Sequence, residues 1–268
     1  MTKASIIIPC YNDGIYIIEA LESILNYKGK YSIEIIIVND GSTDKYTKDL
    51  LISLKEKGYN VINKPNGGLG SARNEGIRKA NGEYVLPLDA DNKICHGYID
   101  EGVKILDNNP EIDIVYADAT FFGEKSGKWT VGHFEVEKLF RANFIDACAI
   151  YRKKVWQNLN GYDENMPAMG SEDWDFWMRA FINGWNFCYL PKVLFEYRVR
   201  KDSMLHTETW PNGKKITEYI FNKPEYRLAK NYRHAILELK RYDNVKYLTK
   251  VLGRKIWQEV NPKIRINS

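Results

Sequence analysis

The apolar run Tyr84-Val85-Leu86-Pro87-Leu88 ends in Asp89-Ala90-Asp91, two carboxylates separated by one small residue. In an extended backbone residues two apart project from one face, so Asp89 and Asp91 are expected to point together at the end of a buried strand. Two such carboxylates repel each other unless a cation lies between them. A hard divalent ion with oxygen ligands, shared with substrate phosphates, meets that need, although the same residues also suit a solvated turn. A second acidic group, Gly170-Ser171-Glu172-Asp173, opens a stretch in which Trp174, Trp177, Met178 and Phe181 recur at helical spacing. Asp173 shares its line with Trp177 and Ala180, at the edge of the buried face. Glu172 aligns with Asp175, Phe176 and Arg179, and Asp175 with Arg179 reads as an i,i+4 pair on the solvated side. The spacing prefers Asp173 as the inward acid, while carboxylates in a first turn also complement the helix dipole.

Strands are needed to carry these groups. Ile6-Ile7-Ile8 and Ile33–Val38 are β-branched runs of the kind found in doubly covered parallel strands. Between them Asn12-Asp13-Gly14 supplies turn residues, and Ile18, Leu21, Ile24 and Leu25 recur as on a helix. The loop Asn39–Asp44 follows, then a helix bearing Leu50, Leu51 and Leu54, then a strand at Tyr59–Ile62. Asn66–Asn74 is glycine-rich, and Ser71 is expected to open a helix whose N-terminus favours anions. It is not a dinucleotide fingerprint: Arg73 stands at its sixth position, and it follows the third strand rather than the first. Alternating β and α elements predict an α/β fold with a mostly parallel sheet. Ligands bind such sheets beyond the carboxyl ends of the strands, so Pro9–Asn12, Asn39–Asp44 and Asp89–Asp91 should line one crevice.

Further on, Ile99, Val103 and Leu106 predict a helix, Ile112–Tyr116 a strand, Phe121–Trp129 a hairpin, and Phe144–Tyr151 a strand lined with Ala and Cys. Short strands are expected at Asn186–Leu190 and Val193–Tyr197, followed by the basic loop Arg198–His206.

The 268 residues suffice for a large core, and the net charge is +4. No apolar run is long enough to span a bilayer, and the N-terminus reads as a first core strand rather than a signal peptide. Cys10, Cys95, Cys148 and Cys188 lack zinc-ligand spacing, which fits a reducing compartment. From Lys223 onward basic residues number 12 against 4 acidic ones. That tail reads as helices that pack on the domain, self-associate, meet an anionic membrane surface or present a solvated face.

Taken together, Ile7–Asn12, Val38–Asp44, Asn66–Asn74, Gly82–Asp91 and Gly170–Asp173 resemble glycosyltransferase family 2, over roughly residues 4 to 200. The resemblance implies a GT-A fold at 1–212, with a nucleotide-binding half (1–92) and an acceptor-side half (93–212), and leaves 213–268 as a basic helical C-terminal extension. It implies inverting transfer of a sugar from a nucleoside diphosphate, UDP first, to a glycan or lipid-linked hydroxyl, as in cell-surface polysaccharide synthesis, with Mn2+ or Mg2+. By the same resemblance Pro9, Tyr11 and Asp40 match base-binding positions, Arg73 a position near base and phosphates, and Asp89 a ribose or metal contact. Asp91 matches the metal ligand and Asp173 the catalytic base. Related enzymes often carry an Arg/Ser/His segment over the diphosphate, which makes Arg200 a phosphate partner and His206 a ligand of metal or phosphate. A cytoplasmic enzyme is expected, with peripheral contact on the inner membrane face through the basic helices, self-association left open and no nucleic-acid partner. Two competitors are a nucleotidyltransferase, expected to show an Arg- and Gly-rich loop where this chain has Cys10-Tyr11-Asn12-Asp13, and a catalytically silent nucleotide-binding scaffold. The retained Asp89, Asp91 and Asp173 weigh against the latter.

Overall fold

The computed structural model describes residues 2–242. The chain divides into two compact units between Ile220 and Phe221. In the first, β1 (Ala4–Cys10) is buried along its whole length. β2 (Ile33–Asp40) and β4 (Tyr84–Pro87) pair with it in parallel, and β3 (Asn60–Lys64) pairs in parallel with β2. The connecting helices are α1 (Gly14–Leu25), α2 (Lys45–Glu56) and α3 (Leu69–Lys79). α1 buries Ile17, Ala20, Leu21 and Ile24, whereas Leu25, counted in the stripe by spacing, is exposed. Asp44 caps α2, accepting the Thr47 N–H at 2.7 Å. α3 starts earlier than expected. Gly68 adopts φ +85° at its N-cap and turns the chain there, so Ser71 lies buried within the helix instead of opening it. Gly76 lets α3 lie close on the sheet: a Cβ there would come within 2.4 Å of Ile7 Cγ2.

The rest of this unit comprises β5 (Lys93–Ile94), α4 (Tyr98–Asn108), β6 (Ile114–Gly123), β7 (Gly127–Trp129), α5 (Val136–Arg141), β8 (Ile150–Arg152), α6 (Lys153–Asn158), α7 (Glu172–Ile182) and β9 (Phe187–Val199). The sheet order is β3-β2-β1-β4-β8-β6-β9-β5, with β7 beside β6. β6 and β9 run parallel over a long ladder, and β8 is inserted antiparallel between β4 and β6. The sheet is mixed, its longest ladders parallel, and helices flank it, as the α/β expectation required.

Several elements differ from their sequence expectation. β6 runs on to Gly123 and so joins the predicted strand to the predicted hairpin, in which Ala119 faces Trp129 and Phe121 faces Gly127. The expected strands Asn186–Leu190 and Val193–Tyr197 are one strand. β9 passes through a register irregularity where Leu190 and Val193 face successive residues of β6; Pro191, with no N–H for the ladder, falls between them. Of the predicted Phe144–Tyr151 strand only the last two residues are in a strand, β8, which runs on to Arg152. The Asp146 carboxylate accepts the Cys148 N–H at 2.8 Å, a local bond that competes with strand pairing. α7 is buried nearly all round. Asp175 and Arg179 do pair, at 2.8 Å, but Asp175 is 0% exposed because Arg179 also donates to the Leu159 carbonyl and is covered by that segment. Glu172 is therefore as inward as Asp173.

α8 (Gly213–Asn222) crosses the division between the units. In the second unit a 3-10 turn at Pro224–Tyr226 leads into α9 (Arg227–Tyr242), and Tyr226 packs on Phe221 with ring centroids 6.1 Å apart. Residues 243–268, and with them much of the basic tail and its expected membrane contact, lie outside the described residues. Among the described residues no helix is long and apolar enough to cross a membrane. The four cysteines are free thiols.

Candidate functional site

The carboxyl ends of β1, β2 and β4 open onto a cavity of about 510 Å³, closed on the far side by the start of α7, the end of β9 and the segment Asp202–Thr209. Pro9, Tyr11, Asp40, Arg73, Asp89, Asp91, Asp173 and Arg200 all line it. The strand-end argument from sequence therefore brings together residues far apart in the chain. His206 is not among the lining side chains; its ring packs edge-on against Trp210, with centroids 4.4 Å apart.

Beyond the end of β1, Tyr11 is 42% exposed, so its ring is open to stacking. Beside it Asn12 adopts φ +59°. Its side-chain oxygen accepts the Thr43 N–H at 2.8 Å and the Asp44 N–H at 3.1 Å, locking the loop after β1 to the loop after β2. Asn tolerates the left-handed region better than most residues. Asp40 is almost fully buried and holds the glycine loop: it accepts from Gly67 N at 3.0 Å, Gly68 N at 2.8 Å and Lys64 Nζ at 2.6 Å.

The triplet does not continue the strand. The Asn92 N–H bonds the Asp89 carbonyl at 3.0 Å and closes a turn, yet both carboxylates still face the cavity. Arg73, 1% exposed, places Nη2 2.6 Å from Asp89 and Nη1 2.5 Å from Glu172. Its guanidinium is thus committed to two carboxylates where sequence reasoning put it beside base and phosphates, and its buried Nε has no hydrogen-bond partner among the described residues. Glu172 in turn accepts the Gly170 N–H at 3.0 Å. Arg200 lies 2.8 Å from Asp13 and 3.1 Å from Asp91. Arg198 donates to the Asp91 backbone carbonyl at 3.0 Å. Asp91 is pushed up to about 7 by burial and by Asp89, with Arg200 opposing. Asp13 is raised by burial in the same way.

Asp173 sits across the cavity. One oxygen accepts the Trp174 N–H at 2.8 Å and the other the Asn143 amide at 2.8 Å. Burial, then the neighbouring Glu172, raise it well above the usual carboxylate range. Asp146, which sequence reasoning did not single out, also lines the cavity and is pushed up to about 7 by burial and Asp89.

No group of three or more His, Cys, Asp or Glu side chains poised to hold a metal ion occurs among the described residues. The donor chemistry nevertheless fits a hard divalent cation. Asp13, Asp89 and Asp91 present carboxylate oxygens to one cavity, and burial first, then Asp89, raise Asp91 and Asp13 in spite of Arg200.

The α/β sheet thus gathers an exposed aromatic ring, a glycine loop and paired carboxylates around one cavity at its strand ends. The chain belongs to the family described as Glycosyl transferase family 2, whose signature matches residues 5–162. It is 40% identical over 247 residues to an uncharacterized glycosyltransferase of Rickettsia felis, covering 83% of this chain and 38% of that one. To the minor teichoic acid biosynthesis protein GgaB of Bacillus subtilis it is 29% identical over 251 residues, covering 87% of this chain and 27% of that one. The chain thus spans well under half the length of these relatives. Its fold is shared by residues 1–349 of S. aureus TarS, solved in complex with UDP-GlcNAc, at a TM-score of 0.64 and 21% identity over 88% of this chain and 72% of that one.

Proposed function

We propose that the chain is an inverting glycosyltransferase domain that moves a sugar from a nucleoside diphosphate, UDP first, to a hydroxyl of a glycan or lipid-linked acceptor. The observation that carries this reading is that Asp89 and Asp91 share one cavity with Asp173, an acid made unusually basic by burial. Family membership supports it, as do the TarS complex with UDP-GlcNAc and the naming of GgaB for teichoic acid biosynthesis.

Residues 1–92 supply the nucleotide side and residues 93–212 the acceptor side. Tyr11 stacks on the base, Pro9 walls it, and Asp40 accepts from a base N–H while holding the glycine loop. Asp91, with Asp89, would hold Mn2+ or Mg2+, which when bound neutralises charge on the departing diphosphate. Arg200 pairs with that diphosphate. Asp173 takes the proton of the acceptor hydroxyl as its oxygen bonds to the anomeric carbon. The bond from that carbon to the diphosphate breaks on the opposite face, and the diphosphate leaves with the electron pair. A base raised above the ordinary carboxylate range by burial suits this transfer better than an ordinary carboxylate. Arg73 acts here by holding Asp89 and Glu172. The free thiols support a cytoplasmic setting, where nucleotide sugars are at hand.

A donor screen scored by Mn2+-dependent release of UDP or GDP tests the reading. Asp173→Asn is expected to keep UDP affinity and lose transfer, and Asp91→Asn to lose the Mn2+ dependence of UDP binding. Turnover surviving in Asp173→Asn would place the base elsewhere.

A further inference from the structure

Asp146 and Tyr197 line the cavity beside Asp89, Asp91 and Asp173, and the reaction above gives neither a role. Asp146 enters from the loop before β8. One of its oxygens accepts the Cys148 N–H at 2.8 Å, and the other has no partner among the described residues. Tyr197 enters from β9, its ring seated edge-on against Trp129 at 5.6 Å and Phe121 at 6.1 Å. Its hydroxyl has no hydrogen-bond partner among the described residues. Both residues are half-buried, so each turns a polar group with no protein partner toward the cavity, where it is open to hydrogen-bond an occupant.

We propose that Asp146 and Tyr197 form the surface that reads the hydroxyl groups of the transferred sugar, and that this sugar is neutral. The inference rests on the glycosyltransferase reading and names the donor subsite within it. Their location selects the sugar over the rest of the donor. Tyr197 and Asp146 line the same cavity as Asp89, Asp91 and Asp173 and lie near enough to feel their charge, so a sugar held between the metal-side carboxylates and the base comes within their reach. Tyr11 and Asp40 serve the nucleoside at the other end. Chemistry agrees: an unpaired carboxylate oxygen accepts from a sugar hydroxyl and repels a phosphate. The phenol, held protonated by burial and by the carboxylates around it, both donates and accepts. A uronic acid carboxylate would meet Asp89 and the ionised fraction of Asp146, which disfavour a second negative charge, whereas a sugar hydroxyl pairs with Asp146 in either protonation state.

The test is calorimetric titration of the Mn2+-loaded protein with UDP, UDP-glucose, UDP-galactose, UDP-GlcNAc and UDP-glucuronate, in the wild type, Asp146→Asn and Tyr197→Phe. Asn keeps the acceptor for Cys148 N–H, and Phe keeps the ring packing. The expected result is that each variant loses about tenfold in affinity for the neutral UDP-sugar the wild type prefers, while UDP affinity stays within about twofold. If Asp146→Asn melts early, Tyr197→Phe carries the test alone. Unchanged UDP-sugar affinity in the folded variants would overturn the proposal, as would equal losses for UDP and UDP-sugar or a preference for UDP-glucuronate. A wild type that binds no nucleotide at all overturns the glycosyltransferase reading and this inference with it.

Discussion

Arg73 and Glu172 stand 99 positions apart and form a buried ion pair with Nη1 2.5 Å from Oε1. Through the second arm of the same guanidinium, 2.6 Å from Asp89, α3 ties the turn after β4 to the first turn of α7. The turn that carries the triplet and the helix that carries Asp173 are therefore held to one another by a single side chain.

Removing that side chain strands two carboxylates. Breaking a buried pair from one side costs about 3–5 kcal/mol. Arg73→Met is therefore expected to lower unfolding free energy by an amount of that order, read from urea denaturation. Arg73→Met combined with Glu172→Gln should recover part of the loss, because one of the stranded charges is gone. Equal loss in the single and double variants would show that Glu172 is not what the guanidinium balances.

Asn143 donates to Asp173 at 2.8 Å and so favours the ionised base, against burial and Glu172. Asn143→Ala should push Asp173 further up and move the acidic limb of kcat/KM to higher pH, with donor KM little changed. A pH–rate profile identical to wild type would deny the contact a part in tuning the base.

Asp91 and Asp146 are both pushed up to about 7, first by burial and then by Asp89. Their ordinary value is 3.8, so between about pH 4 and 7 the folded protein binds protons that the unfolded chain releases. Stability without ligand should therefore rise as pH falls from 8 to 5.5, seen as a higher Tm. Asp146→Asn should flatten the trend. A Tm that falls over this range would contradict the raised acids.

Arg200 neutralises Asp13 and Asp91 at 2.8 and 3.1 Å. Arg200→Gln removes the resident cation, so Mn2+ should bind the nucleotide-free protein more tightly while UDP binds several-fold more weakly. Titrating each ligand separately checks the opposed signs; both affinities falling together would mean that the variant damages the cavity as a whole.

The crevice was legible from sequence because strand ends in an α/β sheet converge. Pro9–Asn12 and Asp89–Asp91 meet as that rule requires, whereas of Asn39–Asp44 only Asp40 reaches the cavity. What sequence spacing could not show was pairing across the chain. Arg73 looked free to meet phosphate because its partner Glu172 lies in another element, and the all-round burial of α7 depends on the Leu159 segment covering Arg179. Asp146 was hidden inside Phe144–Tyr151, which read as a strand. Its signal was there to be used: a lone acid in an apolar run is seldom buried without a partner or a purpose. Asn12 likewise carried a clue in its turn-forming type, but its φ of +59° and its clasp on the Thr43–Asp44 backbone are visible only in three dimensions.

β8 joins the sheet's two halves by slender ladders, facing β4 at Tyr84–Arg152 and Val85–Tyr151 and β6 at Ile114–Tyr151 and Val115–Ile150. The long ladders on either side, β1 with β2 and β6 with β9, share far more hydrogen bonds. Thinly bonded seams open below the global unfolding energy, and this one follows directly on the loop that carries Asp146. Here the short pairing is backed by a core that runs unbroken from Ile6 and Leu86 through Ile150 to Val115 and Phe195, so side-chain packing more than backbone bonding joins the two halves beside the cavity.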